Sequence, residues 1–265
     1  MASVADRPRG LRCQDEVMGT VATVHIAEDW PPARLRELAD LVFTWLHEVD
    51  RRFSTYRPDS EVNRLDRREL ATADCSADLR HVLDQCAEFW RRTDGYFDAY
   101  ATGRLDPSGY VKGWSVQVAS EMLRAAGANN HSIDAGGDFQ LAGRPAPDEQ
   151  WLVGIRHPWQ RDRVAWVVTG TDLAVATSGT YERGAHVTNP HDGRPARDLV
   201  SVTVAGPRLA EADAYATAAL AMGLPALRWL ATLDGYESAV ITSAGDAYRS
   251  DGLPVAACWP GRTPP

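Results

Sequence analysis

Apolar residues recur at helical spacing over one long segment that opens at Pro31 and Pro32. A stripe of this kind predicts a long amphipathic helix with one face on the core. Its members are Leu35, Leu38, Val42, Trp45, Leu46, Val49 and Phe53. A second stripe, after a candidate N-cap at Ser76, predicts another helix that ends near Asp94 and Gly95.

Two further helices are predicted later in the chain. The first follows Lys112 and is closed by Gly127, since glycine favours the left-handed conformation found after a helix end. The second covers residues 210–222.

Short β-type runs separated by Gly, Pro and Asp predict a largely antiparallel sheet. The first is the alternating run 17–26, and the others are 133–135, 151–155, 164–168, 173–176, 200–205 and 238–242. No internal repeat, linker or change of composition marks a boundary. We therefore expect a single domain over 1–265, with irregular tails at 1–15 and 253–265.

The composition narrows the classes of partner. The 265 residues carry a formal net charge of -8, which gives no general attraction to nucleic acid or to an anionic membrane. The four cysteines form no C-x-x-C pair, and the N-terminal residues contain no apolar run typical of a signal peptide. No stretch approaches the ~20 apolar residues of a membrane span. We expect a cytoplasmic protein without a membrane anchor or a nucleic-acid partner.

The segment from Asp106 to Gly113 is a candidate phosphate site. Lys112 lies in it, and it is the single lysine among 28 basic residues. Backbone N–H groups at a helix start can hold a phosphate, and a lysine adds a compact charge. Asp-Pro-Ser-Gly is also an ordinary turn, so this segment alone does not decide between the two.

Three other polar clusters could carry chemistry. Residues 134–138, with their paired glycines, could approach a ligand, although a hairpin turn is favoured on this pattern. His186 stands before an Asn-Pro turn, in a loop rather than on an apolar face. Asp213 and Thr217 share one helical face, and their hard oxygens suit Mg²⁺ when phosphates complete the shell. The competing interpretation has Asp213 solvated and Thr217 bonded back to its own helix.

Familiar nucleotide signatures are missing: the sequence contains no G-x-x-x-x-G-K-[ST] loop, no G-x-G-x-x-G after a strand and no H-E-x-x-H. A Rossmann enzyme or a P-loop kinase is therefore not indicated.

Taken in order, the clusters resemble the FAD:protein FMN transferase (ApbE) family. The opening Met18-Gly19-Thr20 and the later Phe53-Ser54-Thr55-Tyr56 are similar to its motifs, as is Thr93-Asp94-Gly95-Tyr96-Phe97-Asp98. The remaining matches are 106–113, Gly136-Gly137-Asp138, Trp151 with Ile155 and Pro158, Thr177-Ser178-Gly179, His186 with Pro190 and Gly193, and Glu211-Ala212-Asp213-Ala214 with Thr217. The matches extend over residues 18 to 217.

The resemblance implies an α+β or α/β domain of the T-fold-like kind, with a mostly antiparallel sheet flanked by helices. It implies a Mg²⁺-dependent enzyme whose substrate is FAD and whose partner is a target protein with an acceptor Thr or Ser. The FMN half moves to that hydroxyl and AMP is released.

The resemblance also assigns roles to residues. His186 and Asp213 would be catalytic, with His186 as general base, and Mg²⁺ would be held by Asp213, Thr217 and the main-chain oxygen of Gly109. FAD would be bound by Met18, Tyr56, Tyr96, Phe97, Asp98, Asp106, Lys112 and Thr188.

Some features depart from the family pattern. The chain between Asp98 and Asp106 is much shorter than in relatives, Asn189 stands where the family usually has Asp, and Ala216 removes a second acidic position before Thr217. Two alternatives stay open: Mg²⁺-dependent hydrolysis of FAD to FMN and AMP, and a flavin-binding protein without turnover.

Overall fold

The computed structural model describes residues 10–160, 162–180 and 187–256. The helices are α1 (Pro32–Phe53), α2 (Glu61–Asp66), α3 (Ala77–Arg92), α4 (Ser108–Ala125), α5 (Leu209–Met222) and α6 (Ala226–Leu230). The strands are β1 (Leu11–Val17), β2 (Thr20–Ile26), β3 (His131–Ala135), β4 (Asp138–Ala142), β5 (Trp151–Arg156), β6 (Val164–Gly170), β7 (Ala174–Gly179), β8 (Thr188–Asn189), β9 (Arg194–Pro195), β10 (Leu199–Gly206), β11 (Glu237–Thr242) and β12 (Ala247–Arg249).

Eight of the strands form one antiparallel sheet in the order β1-β2-β3-β4-β7-β10-β11-β12. Two tight hairpins build its first half. Met18 and Gly19 join β1 to β2 with φ values of 54° and 69°, and Gly136 and Gly137 join β3 to β4 with 64° and 92°. Positive φ at both turn positions matches the right-handed twist of the paired strands, which explains the glycines.

The helices and the β5–β6 hairpin cover opposite faces of the sheet. Side chains on one face pack with α1, α3, α4 and α5 in the main core, and α5 lies against α4, β7 and β10. The other face packs with β5 and β6 in a smaller core that includes Leu141, Val175 and Ala205. This two-sided packing leaves α4 and α5 against the middle of the sheet.

The predicted mixed fold, with a mostly antiparallel sheet flanked by helices, is confirmed. The long helix is observed at Pro32–Phe53, and Ser76 caps α3 by accepting a hydrogen bond from the Leu79 N–H. The strands expected in the second half are all present within a few residues. The paired glycines at 136 and 137 form a hairpin turn, as favoured from the sequence.

Several predicted boundaries are wrong. The run 17–26 was expected to be one strand, but the Met18–Gly19 turn divides it, and residues 11–15 belong to β1 rather than to an irregular tail. The third helix starts at Ser108 rather than after Lys112. At the other end, Val255 bridges to Val168, and Pro254 and Ala256 exchange hydrogen bonds with β6. Main-chain pairing, which needs no particular side chain, explains why β1 and the segment 254–256 are ordered where irregular tails were expected.

Within the described part of the chain, none of the helices combines the length and the apolar character of a membrane span. The cytoplasmic location stays a prediction.

Candidate functional site

The site is built where α4 crosses α5. Every residue from 209 to 221 on α5 is buried except Thr217, because the helix is enclosed by α4 and the sheet. Gly113 allows the close crossing: a Cβ atom there would lie 2.6 Å from the Leu209 carbonyl oxygen and 2.8 Å from Asp213 Cβ. The alanine-rich sequence of α5 serves the same close packing.

Asp213 projects from α5 toward the first turns of α4 and is 3% exposed. Its Oδ2 accepts a hydrogen bond from the main-chain N–H of Gly113 at 2.9 Å, and its Oδ1 lies 3.5 Å from Lys112 Nζ. A regular helix directs the Gly113 N–H to the carbonyl oxygen of Gly109. Asp213 therefore competes with the Gly109 carbonyl for one donor.

Lys112 also forms an ion pair with Asp138 at the start of β4. Asp138 is 0% exposed, and its Oδ1 accepts a hydrogen bond from the Thr177 N–H on β7 at 2.9 Å. A buried carboxylate needs such a partner, since an unpaired charge in the interior is costly. The lone lysine thus links two carboxylates, one on a helix and one on the sheet.

Thr217 completes the group on the half-buried side of α5. Its Oγ1 lies 3.4 Å from Ser178 Oγ on β7. A Cβ atom on Gly109 would lie 3.2 Å from Thr217 Oγ1, so the start of α4 approaches this hydroxyl closely. The structure brings Gly109, Asp213 and Thr217 together across two helices.

The donor chemistry of this group fits Mg²⁺. A carboxylate, a hydroxyl and a main-chain carbonyl are hard oxygen ligands, and Mg²⁺ requires few protein ligands when phosphates supply the others. In the part of the chain that the structure describes, no group of three or more His, Cys, Asp or Glu side chains could hold a metal ion. One carboxylate with neutral oxygens suits Mg²⁺ bound together with a phosphate-bearing substrate, rather than a metal held by protein alone.

Met18 lies beside the same part of α4. The Ser115 hydroxyl is 3.8 Å from Met18 Sδ and donates to the Lys112 carbonyl oxygen at 2.9 Å. The left-handed turn conformation of Met18 thus brings its side chain to the α4 face next to Lys112.

The 93–98 turn lies against the opposite side of the α4 start. The ring of Phe97 is buried, packs on Phe89 at 5.9 Å between centroids, and would lie 3.3 Å from a Cβ atom on Gly109. Tyr96 instead packs on His191 with 4.3 Å between ring centroids, and His191 Nε2 donates to the Asp94 carbonyl at 2.9 Å. The turn therefore connects α4 with the 188–195 hairpin.

Asp98 and Asp106 shape the chain on either side of the segment between them. Asp98 Oδ1 accepts a hydrogen bond from the Tyr100 N–H at 2.7 Å, and Asp106 Oδ1 accepts one from the Ser108 N–H at 3.0 Å. Both lie near the buried Cys86 thiol, whose pKa is raised to about 12, chiefly by burial and further by these two carboxylates.

Comparison with known proteins identifies the family. The model described as the ApbE family matches residues 18–103 and 99–241, well over half of the sequence. The chain belongs to the ApbE family.

Curated relatives within the ApbE family share part of the sequence. A Vibrio cholerae protein named FAD:protein FMN transferase is 31% identical over 155 residues, which are 50% of this chain and 46% of the relative. A Rhodobacter capsulatus protein of the same name is 35% identical over 128 residues, which are 45% of this chain and 24% of the relative. The chain spans about half or less of the length of these curated relatives.

Solved ApbE structures share the fold. The flavin transferase ApbE from Vibrio cholerae superimposes with a TM-score of 0.79 at 22% identity, covering 91% of this chain and 97% of that one. The apbe protein from Thermotoga maritima gives a TM-score of 0.78 at 21% identity, with the same two coverages. The ApbE architecture therefore extends over nearly all of the chain.

Not every site residue expected of an ApbE protein joins the α4–α5 group. The side chain of Tyr56 is 93% exposed, on the loop that follows α1. Thr188 is half-buried in the β8–β9 hairpin, paired with Pro195. His186 lies outside the described residues.

Asp138 and Ser178 contact the α4–α5 group, but neither is among the site residues that the resemblance to the ApbE family implies. Asp138 follows the Gly136–Gly137 turn, and its position directly after paired glycines was the available signal. Ser178 lies on β7 beside Thr217, and only its Thr-Ser-Gly context could have indicated it. Long-range pairing across the sheet, not local sequence, brings both into place.

Proposed function

We propose that this ApbE-family chain transfers the FMN half of FAD to a Thr or Ser hydroxyl of a target protein and releases AMP, in a Mg²⁺-dependent reaction. The proposal is carried by the meeting of Gly109, Asp213 and Thr217 beside the single lysine. Relatives named FAD:protein FMN transferase support it. The same residues would serve a hydrolase, in which water takes the place of the acceptor hydroxyl.

Asp213, Thr217 and the main-chain oxygen of Gly109 would hold Mg²⁺. Bound there, the ion would neutralise charge on the pyrophosphate, the main requirement of phosphoryl transfer. Asp213 is anchored by the Gly113 N–H, so its carboxylate is already oriented before any ligand arrives. Such preorganisation costs no rearrangement during the reaction.

Lys112 would supply local positive charge to the substrate phosphates. The chain as a whole carries a net charge of -8, so the anionic pyrophosphate of FAD needs a local positive charge to attract it. The start of α4 adds to it, because helix N-termini favour anions. Asp138 fixes Lys112 from the sheet side and holds its ammonium group next to Asp213.

In the proposed reaction the acceptor hydroxyl oxygen attacks the phosphorus on the FMN side of the pyrophosphate. The bond from that phosphorus to the bridging oxygen breaks, and AMP leaves with the oxygen. His186 is the proposed general base that takes the hydroxyl proton, an assignment that comes from the family motif. Met18, Tyr56, Tyr96, Phe97, Asp98, Asp106 and Thr188 are the proposed contacts to FAD.

The test incubates the purified protein with FAD, Mg²⁺ and a lysate of its own source. Flavin fluorescence is then read on denatured protein bands while AMP is assayed. A fluorescent band that requires Mg²⁺ and is lost in Asp213→Asn supports transfer. AMP without a band indicates hydrolysis, and tight FAD binding without either product indicates a binding protein; both outcomes contradict the proposal.

A further inference from the structure

The loop that carries Tyr56 is held by one buried side chain. Asn63 on α2 is 4% exposed, and its Nδ2 group faces three main-chain carbonyl oxygens. These belong to Ser54 at 3.3 Å, Thr55 at 2.9 Å and Arg57 at 2.8 Å. The carbonyls on both sides of Tyr56 therefore share one amide donor.

The opposite end of the same side chain faces the shortened segment between Asp98 and Asp106. Asn63 Oδ1 accepts a hydrogen bond from Arg104 Nη2 at 3.3 Å. One turn further along α2, Asp66 accepts from Arg104 Nε at 3.3 Å and from the Leu105 N–H at 2.9 Å. The Leu105 N–H, with a smaller contribution from Arg104, lowers the pKa of Asp66.

The six-residue helix α2 thus stands between two segments that hold proposed FAD contacts. Tyr56 lies on one, and Asp98 and Asp106 flank the other. The amide of Asn63 donates to the first and accepts from the second, a combination that neither Asp nor Ala can reproduce. An apolar side chain of similar size would fill the space but would leave the carbonyls without this donor.

We propose that Asn63 is a positioning residue that couples the Tyr56 loop to the 98–106 segment, so that the two proposed walls of the FAD pocket are set together. The inference rests on the proposed function, because it concerns FAD binding at the same site. It also accounts for how a chain with so short a 98–106 segment holds that segment in place: Arg104 and Leu105 attach it to α2.

Amide hydrogen exchange of the ligand-free protein tests the coupling without any assumption about activity. Arg104→Met removes the guanidinium that contacts Asn63 and Asp66. All the groups through which Asn63 contacts the Tyr56 loop are retained. We expect faster exchange in residues 54–60 as well as in 99–106. Faster exchange confined to 99–106 would overturn the proposal.

The matched control is Arg64→Met on the same helix. The side chain of Arg64 is exposed, and within the described ranges it makes no hydrogen bond or ion pair. The control should leave exchange in both segments as in the wild type; an equal rise in exchange in the control would show that any substitution on α2 loosens the loop, and would count against a role for Arg104 and Asn63.

FAD affinity, titrated by flavin fluorescence with Mg²⁺ present, tests the functional part. We expect Tyr56→Ala and Asn63→Ala each to weaken binding about tenfold, and the double variant to bind no more weakly than Tyr56→Ala alone. Losses that multiply to about 100-fold would mean that Asn63 acts independently of Tyr56, against the proposal. If the wild type itself binds no FAD, the proposed function fails, whereas exchange coupling can still be observed.

Discussion

The carboxylate of Asp213 accepts a hydrogen bond from the main-chain N–H of Gly113 at 2.9 Å, although the two residues are separated by 100 positions in the sequence. This bond fixes one oxygen of the carboxylate against the first turns of α4. The same side chain faces Lys112 at 3.5 Å. The carboxylate is therefore held in one orientation at the crossing of two helices, next to the hydroxyl of Thr217 one turn away.

Replacing the Asp213 carboxylate by an amide distinguishes the effect of its charge from the effect of its hydrogen bond. Asp213→Asn keeps an oxygen that can accept from the Gly113 N–H but removes the negative charge that the proposed Mg²⁺ site needs. We expect AMP release and protein flavinylation to fall by about 100-fold or more, the scale seen when one preorganised charge-stabilising group is lost. The measurement is the initial rate of AMP formation over a Mg²⁺ titration.

The matched control is Asp234→Asn, which changes an exposed aspartate in the turn before β11. It should retain the wild-type rate at every Mg²⁺ concentration. An Asp213→Asn enzyme with the wild-type Mg²⁺ dependence would refute the metal assignment.

The two glycines of α4 give a second prediction, because the same substitution should act on them differently. A Cβ atom at Gly113 would lie within 3 Å of Leu209 main chain and of Asp213, where little can move. We expect Gly113→Ala to lower the free energy of unfolding by roughly 1–3 kcal/mol through overpacking. Urea unfolding followed by circular dichroism measures this change.

At Gly109 the nearest atoms are the side chain of Thr217 at 3.2 Å and the Phe97 ring at 3.3 Å. Alanine improves helix propensity by about 1 kcal/mol, which offsets the small displacement of these side chains. We expect Gly109→Ala to unfold at nearly the wild-type urea concentration but to turn over FAD more slowly, because Thr217 is displaced. Equal losses of stability in the two variants would contradict this account of the crossing.

The amphipathic helices of this fold could be read from the sequence because their signals are local. The stripe from Leu35 to Phe53 and the Ser76 cap each lie within one element, so spacing alone was enough. Strand β1 has no clear sequence signal, because four of its seven residues are polar or charged and only Val17 is buried. Helix α2 is too short, at six residues, to show a period.

The site was foreseeable only in part. Asp213 and Thr217 share one helical face, so their proximity follows from the helix itself. The partnership of Lys112 with Asp138 depends on where β4 lies in the sheet, next to β3 and β7, and no pattern near either residue specifies it. The role of Asn63 likewise depends on two segments, the Tyr56 loop and the 98–106 segment, that meet at α2.

The ion pair of Lys112 with Asp138 leads to a third prediction. Lys112→Met leaves the Asp138 carboxylate, which is 0% exposed, without its cation. We expect the free energy of unfolding to fall by about 3 kcal/mol, the cost of breaking a buried pair on one side. Thermal or urea unfolding at neutral pH measures the loss.

Stability and activity should then separate in the double variant Lys112→Met/Asp138→Asn. Removing the orphaned charge should restore most of the stability, since a neutral amide is less costly to bury than a carboxylate. FMN transfer should remain impaired because the charge toward the substrate phosphates is still missing. Recovery of both properties would show that Lys112 serves folding alone.

The last prediction concerns His131, which is buried between α4 and β3. Its Nδ1 donates to the Ala128 carbonyl at 2.8 Å, and its Nε2 lies 2.7 Å from the Ser120 hydroxyl, which can donate to the neutral ring. Burial lowers the pKa of His131 from 6.5 to about 4. The folded protein therefore keeps this ring neutral over a range of pH in which the unfolded chain takes up a proton.

Falling pH should favour the unfolded state between pH 6.5 and about 4, because the unfolded chain binds the extra proton. From pH 7 to pH 5 we expect His131 to contribute a loss of about 2 kcal/mol in the free energy of unfolding. Urea unfolding at both pH values measures it, with His131→Leu as the comparison, since the other titrating groups are common to both proteins. The variant should lose less stability on acidification than the wild type, and an identical loss would mean that His131 is protonated in the folded protein at pH 5.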